Sequence, residues 1–367
     1  MNRIFLEFVL YFTKDFFVYR FLELSMYFAV LWKNKELSLK EIGYVNPKDL
    51  HVSSNQQIIL FDVEEEDKLS DLAWLVKWWK VIEGELSDFF NKTDKRILWV
   101  ADKQLWIKMK KQYWLKRFKQ VDLFHTDIEI KNKWIELIKI GSKWWEVLGY
   151  QNIKLYEVVD FEKPWRSMQM WMMPAKLTHT LINIWLSLDR EQTLIYDPFV
   201  GSWTTGFLAN YFWYDFLGSD LKLTFADKNY PWRTNSKRST PNKEFKFFIH
   251  DATKEFEDKS LFSWRTPLII TEGWLGPIIK ANTTDEQVKE YQRWVKNVYL
   301  PWIEQMATSF ERKPVMVFTI PWYLWYENLL EHQIIEISEK VWFEFSSLQE
   351  MYKRDQHKVA RKVIILK

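Results

Sequence analysis

Apolar and polar positions alternate along this chain in two rhythms, and the change falls near residue 160. Before it, short apolar runs at 26–31, 57–63 and 75–83 read as strands. A capped helix start at 37–42 and a helical turn at 69–72 lie among them. Residues 91–120 form a basic, helix-like stretch, 128–130 with 135–140 read as a hairpin, and 152–161 reads as a link. From 165 onward strands and helices take turns. The strands are expected at Leu194–Asp197, 216–219, 245–250, Leu268–Thr271, 315–320, 342–345 and Val359–Leu366. The helices are expected at 176–188, Thr204–Tyr211 and 286–308. That alternation predicts a doubly wound α/β sheet behind a smaller α+β region. The expected division is 26–160 and 161–367. Residues 1–25 stand as an extra amphipathic segment or as a misplaced start, with Met26 the true initiator.

That opening segment is aromatic and apolar, but Arg3, Glu7, Lys14, Asp15, Arg20 and Glu23 interrupt it. No uncharged run approaches the roughly 18 residues of a membrane helix, and no signal-peptide cleavage pattern follows. A cytoplasmic protein without a membrane partner is the expectation. The formal net charge of +3 excludes nothing, so any nucleic-acid face must be local. The absence of cysteine excludes disulfides, thiolate metal sites and a cysteine nucleophile, and six scattered histidines lack zinc-ligand spacing. The local candidate is the 91–120 run, where Lys108, Lys110, Lys111, Lys116 and Arg117 are interleaved with aromatics. A solvated helix face is the ordinary reading of such a run, and a surface contacting RNA phosphates is the other.

Composition changes the picture at one point. There are 9 glycines, where ordinary usage gives about 26 in this length, and 23 tryptophans. The bland reading is an aromatic-rich chain. The sharper one is that tryptophans stand where glycine is physically required. A gene that reads UGA as glycine, translated with a code that reads it as tryptophan, looks like this. Trp213 and Trp114 each follow a helical run where a left-handed closing residue belongs, and Trp203 sits inside a tight strand-to-helix loop.

That loop carries the strongest motif. Residues 197–205 read DPFVGSWTT at the end of the first strand of the second region. With glycine at 203 it resembles the DPFxGSGTT signature of class I S-adenosylmethionine-dependent amino-methyltransferases. The segment KPWRSMQMWMMPAKLTHTLIN at 163–183, with glycine at 165 and 171, is similar to one preceding the cofactor loop in THUMP-containing tRNA guanine-N2 methyltransferases and their bacterial relatives. Segments opening at Met26 and closing at 351–365 extend the resemblance over nearly the whole chain from residue 26. It implies a Rossmann-like class I methyltransferase sheet, preceded by a THUMP-like RNA-binding region. It also implies S-adenosylmethionine as cofactor, held by Met173, Pro174, Asp197, Pro198, Phe199, Gly201, Ser202, Trp203, Thr204 and Thr205. Asp220 and Asp251, after the next two strands, would serve the ribose hydroxyls and the adenine amine. Taken alone, either aspartate is more often a cap or a turn residue.

The departure from the family lies after the fourth strand. There amino-methyltransferases place [DN]-P-P-[YF], and this chain has TEGWLGP at 271–277. Thr271 or Glu272 replaces the acid and Trp274 the stacking aromatic, while the paired prolines are missing; bacterial relatives carry a similar TEPYLGP. Trp274 is the tryptophan to keep as genuine. The function expected is methyl transfer to an exocyclic guanine amine in tRNA or another structured RNA, without metal. A small activator protein remains open. Two alternatives stand beside it: a DNA amino-methyltransferase, and a non-catalytic RNA-binding protein on a methyltransferase scaffold.

Overall fold

The computed structural model describes residues 26–31, 34–53, 58–91, 98–100, 107, 112, 135–140, 143–162, 172–188, 193–222, 244–263, 265–280, 282–353 and 357–367. It forms two compact units, Met1–Asn152 and Ile153–Lys367.

In the first unit, β1 (Tyr27–Leu31) is buried at all five positions, because it runs through the middle of a sheet packed on both faces. Helix α1 (Lys35–Glu41) follows, with Asn34 accepting the Leu37 N–H at 3.1 Å as its cap. Strands β2 (Lys48–Val52), β3 (Ile58–Asp62) and β4 (Leu75–Val81) come next. Helix α2 (Leu86–Asn91), β5 (Leu98–Val100), β6 (Ile135–Ile140) and β7 (Lys143–Tyr150) complete the order. The sheet runs β2-β3-β1-β4-β7-β6-β5, antiparallel except between β5 and β6. On one face Phe28 stacks on Trp79 at 4.3 Å and meets the edge of Trp145 at 5.0 Å. On the other, Tyr27, Ile59, Phe61 and Leu72 pack with Ile42. Lys77, fully buried, reaches Glu136 at 2.8 Å, and the Tyr150 hydroxyl donates to the same carboxylate. Burial pushes the Glu136 carboxyl up, against the pull of Lys77.

The pairing of β6 differs from the expected hairpin with 128–130. Its two sides are taken by β7 and β5, and 128–130 lie outside the described residues. Strand β7 escaped notice because the adjacent Trp144 and Trp145 hide its alternation. The helical turn expected at 69–72 is a 3₁₀ turn at Glu66–Asp71.

The second unit starts with α3 (Ile153–Phe161). In place of the expected link, it is a helix that packs on α4 (Ala175–Leu186). The Asp160 carboxylate accepts the Ala175 N–H at 2.8 Å, and the Tyr156 hydroxyl meets His179 Nδ1 at 2.9 Å. The division therefore falls at 152/153 rather than 160/161. Then come β8 (Leu194–Asp197), α5 (Thr204–Tyr211), β9 (Asp215–Asp220), β10 (Phe245–Ile249) and β11 (Leu268–Thr271). The chain closes with α6 (Asp285–Ser309), β12 (Met316–Tyr323), α7 (Leu330–Lys340), β13 (Phe345–Ser347) and β14 (Val359–Leu366). The sheet order is β10-β9-β8-β11-β12-β14-β13, parallel apart from β14. Tyr196, Ile269 and Phe318 pack with Trp302 of α6 and Ile334 of α7, while α4 and α5 cover the strands from their other side. The order reverses between β8 and β11, the switch point where such sheets take ligands. Helix α7 was missed, although Leu330, Ile334 and Ile337 mark its buried side. Among the described residues no helix is long and apolar enough to cross a membrane, and no cluster of three potential metal ligands occurs.

Among the described residues four tryptophans have left-handed backbone: Trp203 (φ 65°), Trp213 (69°), Trp325 (67°) and Trp342 (63°). Two of them close helices in the same way. After α5, the Trp213 N–H donates to Asn210 O at 3.2 Å and the Tyr214 N–H to Ala209 O at 2.9 Å. After α7, Trp342 donates to Glu339 O at 3.2 Å and Phe343 to Ser338 O at 2.8 Å. Both are complete Schellman closures, whose left-handed residue is usually glycine. This corrects the expected strand at 342–345: Trp342 ends a helix, and β13 starts at Phe345. Trp325 is the third residue of a turn closed by Tyr326 N–H to Tyr323 O at 3.3 Å, again a glycine position. Trp114 lies outside the described residues.

Trp213 and Trp342 are 62% and 84% exposed, so their indoles bury little to offset a strain of about 1–3 kcal/mol each. Trp213→Gly and Trp342→Gly should therefore each raise stability by about 1 kcal/mol. Trp294→Gly, inside right-handed α6, should lower it by about as much. Denaturant unfolding of the three variants checks this, and destabilisation by all three would refute the strain argument.

Candidate active site

Three carboxylates end three neighbouring strands. Asp197 closes β8 and lies opposite Gly218 of β9; Asp220 closes β9 and lies opposite Ile249 of β10; Asp251 follows β10 by two residues. The pleat and register of a parallel sheet thus set them in a row along its carboxyl edge.

Asp197 is the most enclosed of the three, at 2% exposure. It accepts the Phe199 N–H at 3.0 Å and the hydroxyls of Thr205 and Thr271. Burial still dominates and pushes its carboxyl up to about 6. Pro198, Phe199 and Val200 carry the chain into the loop. There the Val200 N–H bonds Ser219 O at 3.0 Å, and the Gly201 N–H bonds Asp220 Oδ2 at 3.0 Å. Asp220 thereby holds the loop from the next strand. Ser202 and Thr204 approach at 3.4 Å through their hydroxyls. Trp203 precedes α5, its N–H on Val200 O at 2.8 Å. Its indole is buried and stacked on Phe247 at 4.2 Å, so its backbone rather than its ring shapes the loop. Asp251 accepts both the N–H and the hydroxyl of Thr253 on Oδ1. Burial raises its carboxyl, but those two bonds outweigh it and leave the group below the ordinary value.

The segment after β11 shares the edge. Thr271 is fully buried and accepts the Gly273 N–H at 3.1 Å while donating to Asp197. The Glu272 carboxylate is paired with Arg361 of β14, a buried guanidinium beneath the Tyr352 ring. The Glu272 carbonyl accepts the Thr319 hydroxyl at 2.8 Å. Trp274 is half-buried against the main core. Gly273 and Gly276 have φ of +70° and +77°, and a Cβ there would lie 2.0 Å from the Tyr299 hydroxyl and 2.8 Å from that of Tyr323. Proline, locked near −65°, cannot stand at 273.

Of the residues singled out in the sequence, Asp197, Thr205 and Thr271 meet directly, and Gly201 meets Asp220. Met173 is buried, and Pro174 opens α4, accepting the Thr178 N–H at 2.9 Å. Residues 163–171 lie outside the described residues, as do Lys108, Lys110, Lys111, Lys116 and Arg117. Arg361 is a site residue outside the sequence expectations; its signal is the Arg361-Lys362 pair inside the buried VARKVIIL strand. No ligand is present, but an enclosed carboxylate facing a glycine loop, with two further strand-end acids, is a donor set that suits an ammonium, ribose hydroxyls and an amine.

The second unit thus has a doubly wound, Rossmann-like α/β sheet. No protein-family model matches the chain, and no curated protein matches it. Among solved structures it is similar to TrmN from Thermus thermophilus, at 12% identity and a TM-score of 0.45, over 93% of this chain and 99% of that one. It is also similar to an rRNA methylase from Streptococcus thermophilus, at 12% identity and TM-score 0.33, over 54% and 98% of the chains. Magnesium protoporphyrin IX methyltransferase from Synechocystis, with bound S-adenosylmethionine, gives 11% identity and TM-score 0.34, over 58% and 95%.

The raised Asp197 carboxyl has a stability consequence. Its folded value of about 6 exceeds the unfolded one, so its contribution is full below the unfolded value and is lost as pH rises through about 6. Asp197→Asn should raise the melting temperature relative to the parent more at pH 7.5 than at pH 5. A gap that does not change with pH would count against a carboxylate held under desolvation.

Proposed function

We propose that this chain is an S-adenosylmethionine-dependent RNA methyltransferase acting on the exocyclic N2 amine of guanine in tRNA. The observation that carries the reading is the row Asp197, Asp220, Asp251 on one sheet edge, with the Gly201 loop over it and the 271–277 segment beside it. Asp197 would take the methionine ammonium, Asp220 the ribose hydroxyls and Asp251 the adenine amine. Ser202, Thr204, Thr205 and the backbone from Pro198 to Trp203 would line the cofactor, with Met173 and Pro174 closing its methionine end. When bound, S-adenosylmethionine supplies an electrophilic methyl group on a sulfonium. The chain's own part is orientation and hydrogen bonding. Thr271 or Glu272 accepts a hydrogen bond from the attacking amine, and Trp274 stacks on the base. Arg361 fixes the Glu272 carboxylate whichever of the two accepts.

The first unit belongs to this reading as a THUMP-like RNA-binding region, with Lys108, Lys110, Lys111, Lys116 and Arg117 on phosphates. The left-handed tryptophans support a further part of it: at Trp203, Trp213, Trp325 and Trp342 the natural residue is glycine encoded by UGA. The codons at these positions test that directly, and UGG at all four would overturn it.

The test of activity is incubation of tRNA with methyl-labelled S-adenosylmethionine, followed by digestion to nucleosides. Label is expected in N2-methylguanosine, and Asp197→Ala should abolish cofactor binding seen by calorimetry. Label in another nucleoside would remove the guanine assignment, and binding without transfer would favour the non-catalytic scaffold.

For the basic run, charge reversal at Lys108, Lys110 and Lys111 is expected to weaken tRNA binding and flatten its salt dependence. If neither changes, the run is a solvated face.

A further inference from the structure

The second unit carries a cavity of about 300 Å³ that none of the roles above uses. It lies between the first turns of α6 and the loop that follows β12. Lys289, Arg293 and Lys296 line one side, four and three residues apart on the α6 helix, so they share one stripe of its surface. Tyr323 and Tyr326 line the other, and Glu327 is the single acid among the lining residues. The far wall is preorganised. Asn328 donates to Tyr323 O at 2.9 Å and Tyr326 O at 2.8 Å and accepts the Tyr323 N–H at 2.7 Å, while Gln292 donates to Glu327 O at 2.8 Å.

Two features give the cavity a purpose. Some cations of this unit are paired: Lys340 with Glu304, Lys362 with Glu331, and Arg265 with Asp215 and Glu244. Lys289, Arg293 and Lys296 form no ion pair among the described residues, and the acids beside them are Glu327 in the lining and Asp285, which accepts the Tyr326 hydroxyl at 3.0 Å. Two wall residues of the cavity, Tyr323 and Val295, also pack against the 271–277 segment. Their atoms are those a Cβ on Gly276 would strike, at 2.8 and 3.0 Å, and the Tyr323 hydroxyl donates to Leu275 O at 3.3 Å. A basic cleft therefore adjoins, through Tyr323 and Val295, the segment that carries the position assigned to the target base.

We propose that this cleft binds the phosphodiester backbone of the RNA substrate next to the target nucleotide, through Lys289, Arg293 and Lys296. The proposal rests on the RNA methyltransferase reading and adds the element that grips the strand there. The polyanion is the occupant because three cations without an ion pair share one stripe of the cavity wall. A cavity of this volume is at the lower limit for a small-molecule site and suits one nucleotide unit rather than a duplex.

The test uses the full chain and unfractionated tRNA. Binding is followed by fluorescence anisotropy across a salt series, with S-adenosylmethionine affinity measured by calorimetry on each variant. Replacement of Lys289, Arg293 and Lys296 by Glu is expected to weaken tRNA binding at least tenfold. It should also make the slope of log K against log salt shallower by about two to three, the share of three phosphate contacts, with cofactor affinity unchanged. Should charge reversal also remove cofactor binding, the milder pair Lys289→Ala and Arg293→Ala on exposed helix positions decides, with a slope change of one to two expected. Parental tRNA affinity and slope in a variant that still binds the cofactor would overturn the cleft and leave the methyltransferase reading intact. A parent chain with no affinity for tRNA would overturn both.

Discussion

A carboxylate taken out of water at the end of β8 has to be compensated, and the means of compensating Asp197 sets the geometry around it. Its partners come from three different places: the loop amide of Phe199, the first turn of α5 through Thr205, and the end of β11 through Thr271. One buried group thus fixes strand, loop, helix and neighbouring strand together at the switch point of the sheet. Those bonds do not fully repay desolvation, since the carboxyl still sits near 6. A site that keeps an under-compensated anion is poised for a cationic ligand, because the ligand supplies what the protein withholds.

The same edge shows how backbone conformation decides chemistry. Gly273 and Gly276 adopt left-handed φ, pressed against the hydroxyls of Tyr299 and Tyr323, and these tyrosines stand on α6 and β12. The segment that carries Thr271, Glu272 and Trp274 is thereby moulded by the helix and strand behind it. Arg361, from the antiparallel β14, completes it by pairing with Glu272. The last strand thus contributes to the site although it follows the 271–277 segment by more than eighty residues. The basic cleft on α6 adjoins this framework through Tyr323, which couples the proposed strand grip to the proposed reacting position.

Left-handed tryptophans are the other constraint. Two Schellman closures, one reverse turn and one strand-to-helix loop each place an indole where the backbone calls for glycine. At 213, 325 and 342 the ring lies exposed, contributing little packing. At 203 it is absorbed against Phe247. Four separate pieces of local geometry share one residue type, and turn chemistry alone gives no reason for tryptophan at any of them.

Local pattern carried much of this in advance. Leu194–Asp197, Thr204–Tyr211, Leu268–Thr271 and Val359–Leu366 fall where the pattern put them, because buried strands write themselves as short continuous apolar runs and the helix follows a strand-end loop. The DPFVGSWTT loop and the acids at 220 and 251 were legible for the same reason: they follow strand ends. Strand β7, helix α7, the attachment of α3 to the second unit and the partner of β6 were not legible. Each depends on what lies across the sheet rather than along the chain. The Arg361–Glu272 pair and the convergence of Lys289, Arg293 and Lys296 with Tyr323 and Gly276 belong to the same kind. The sequence determined which segments could be strands and which residues could carry charge to a strand end. Only the tertiary structure decided which charges meet, because contact between distant positions is set by packing of the whole sheet and leaves no local period to read.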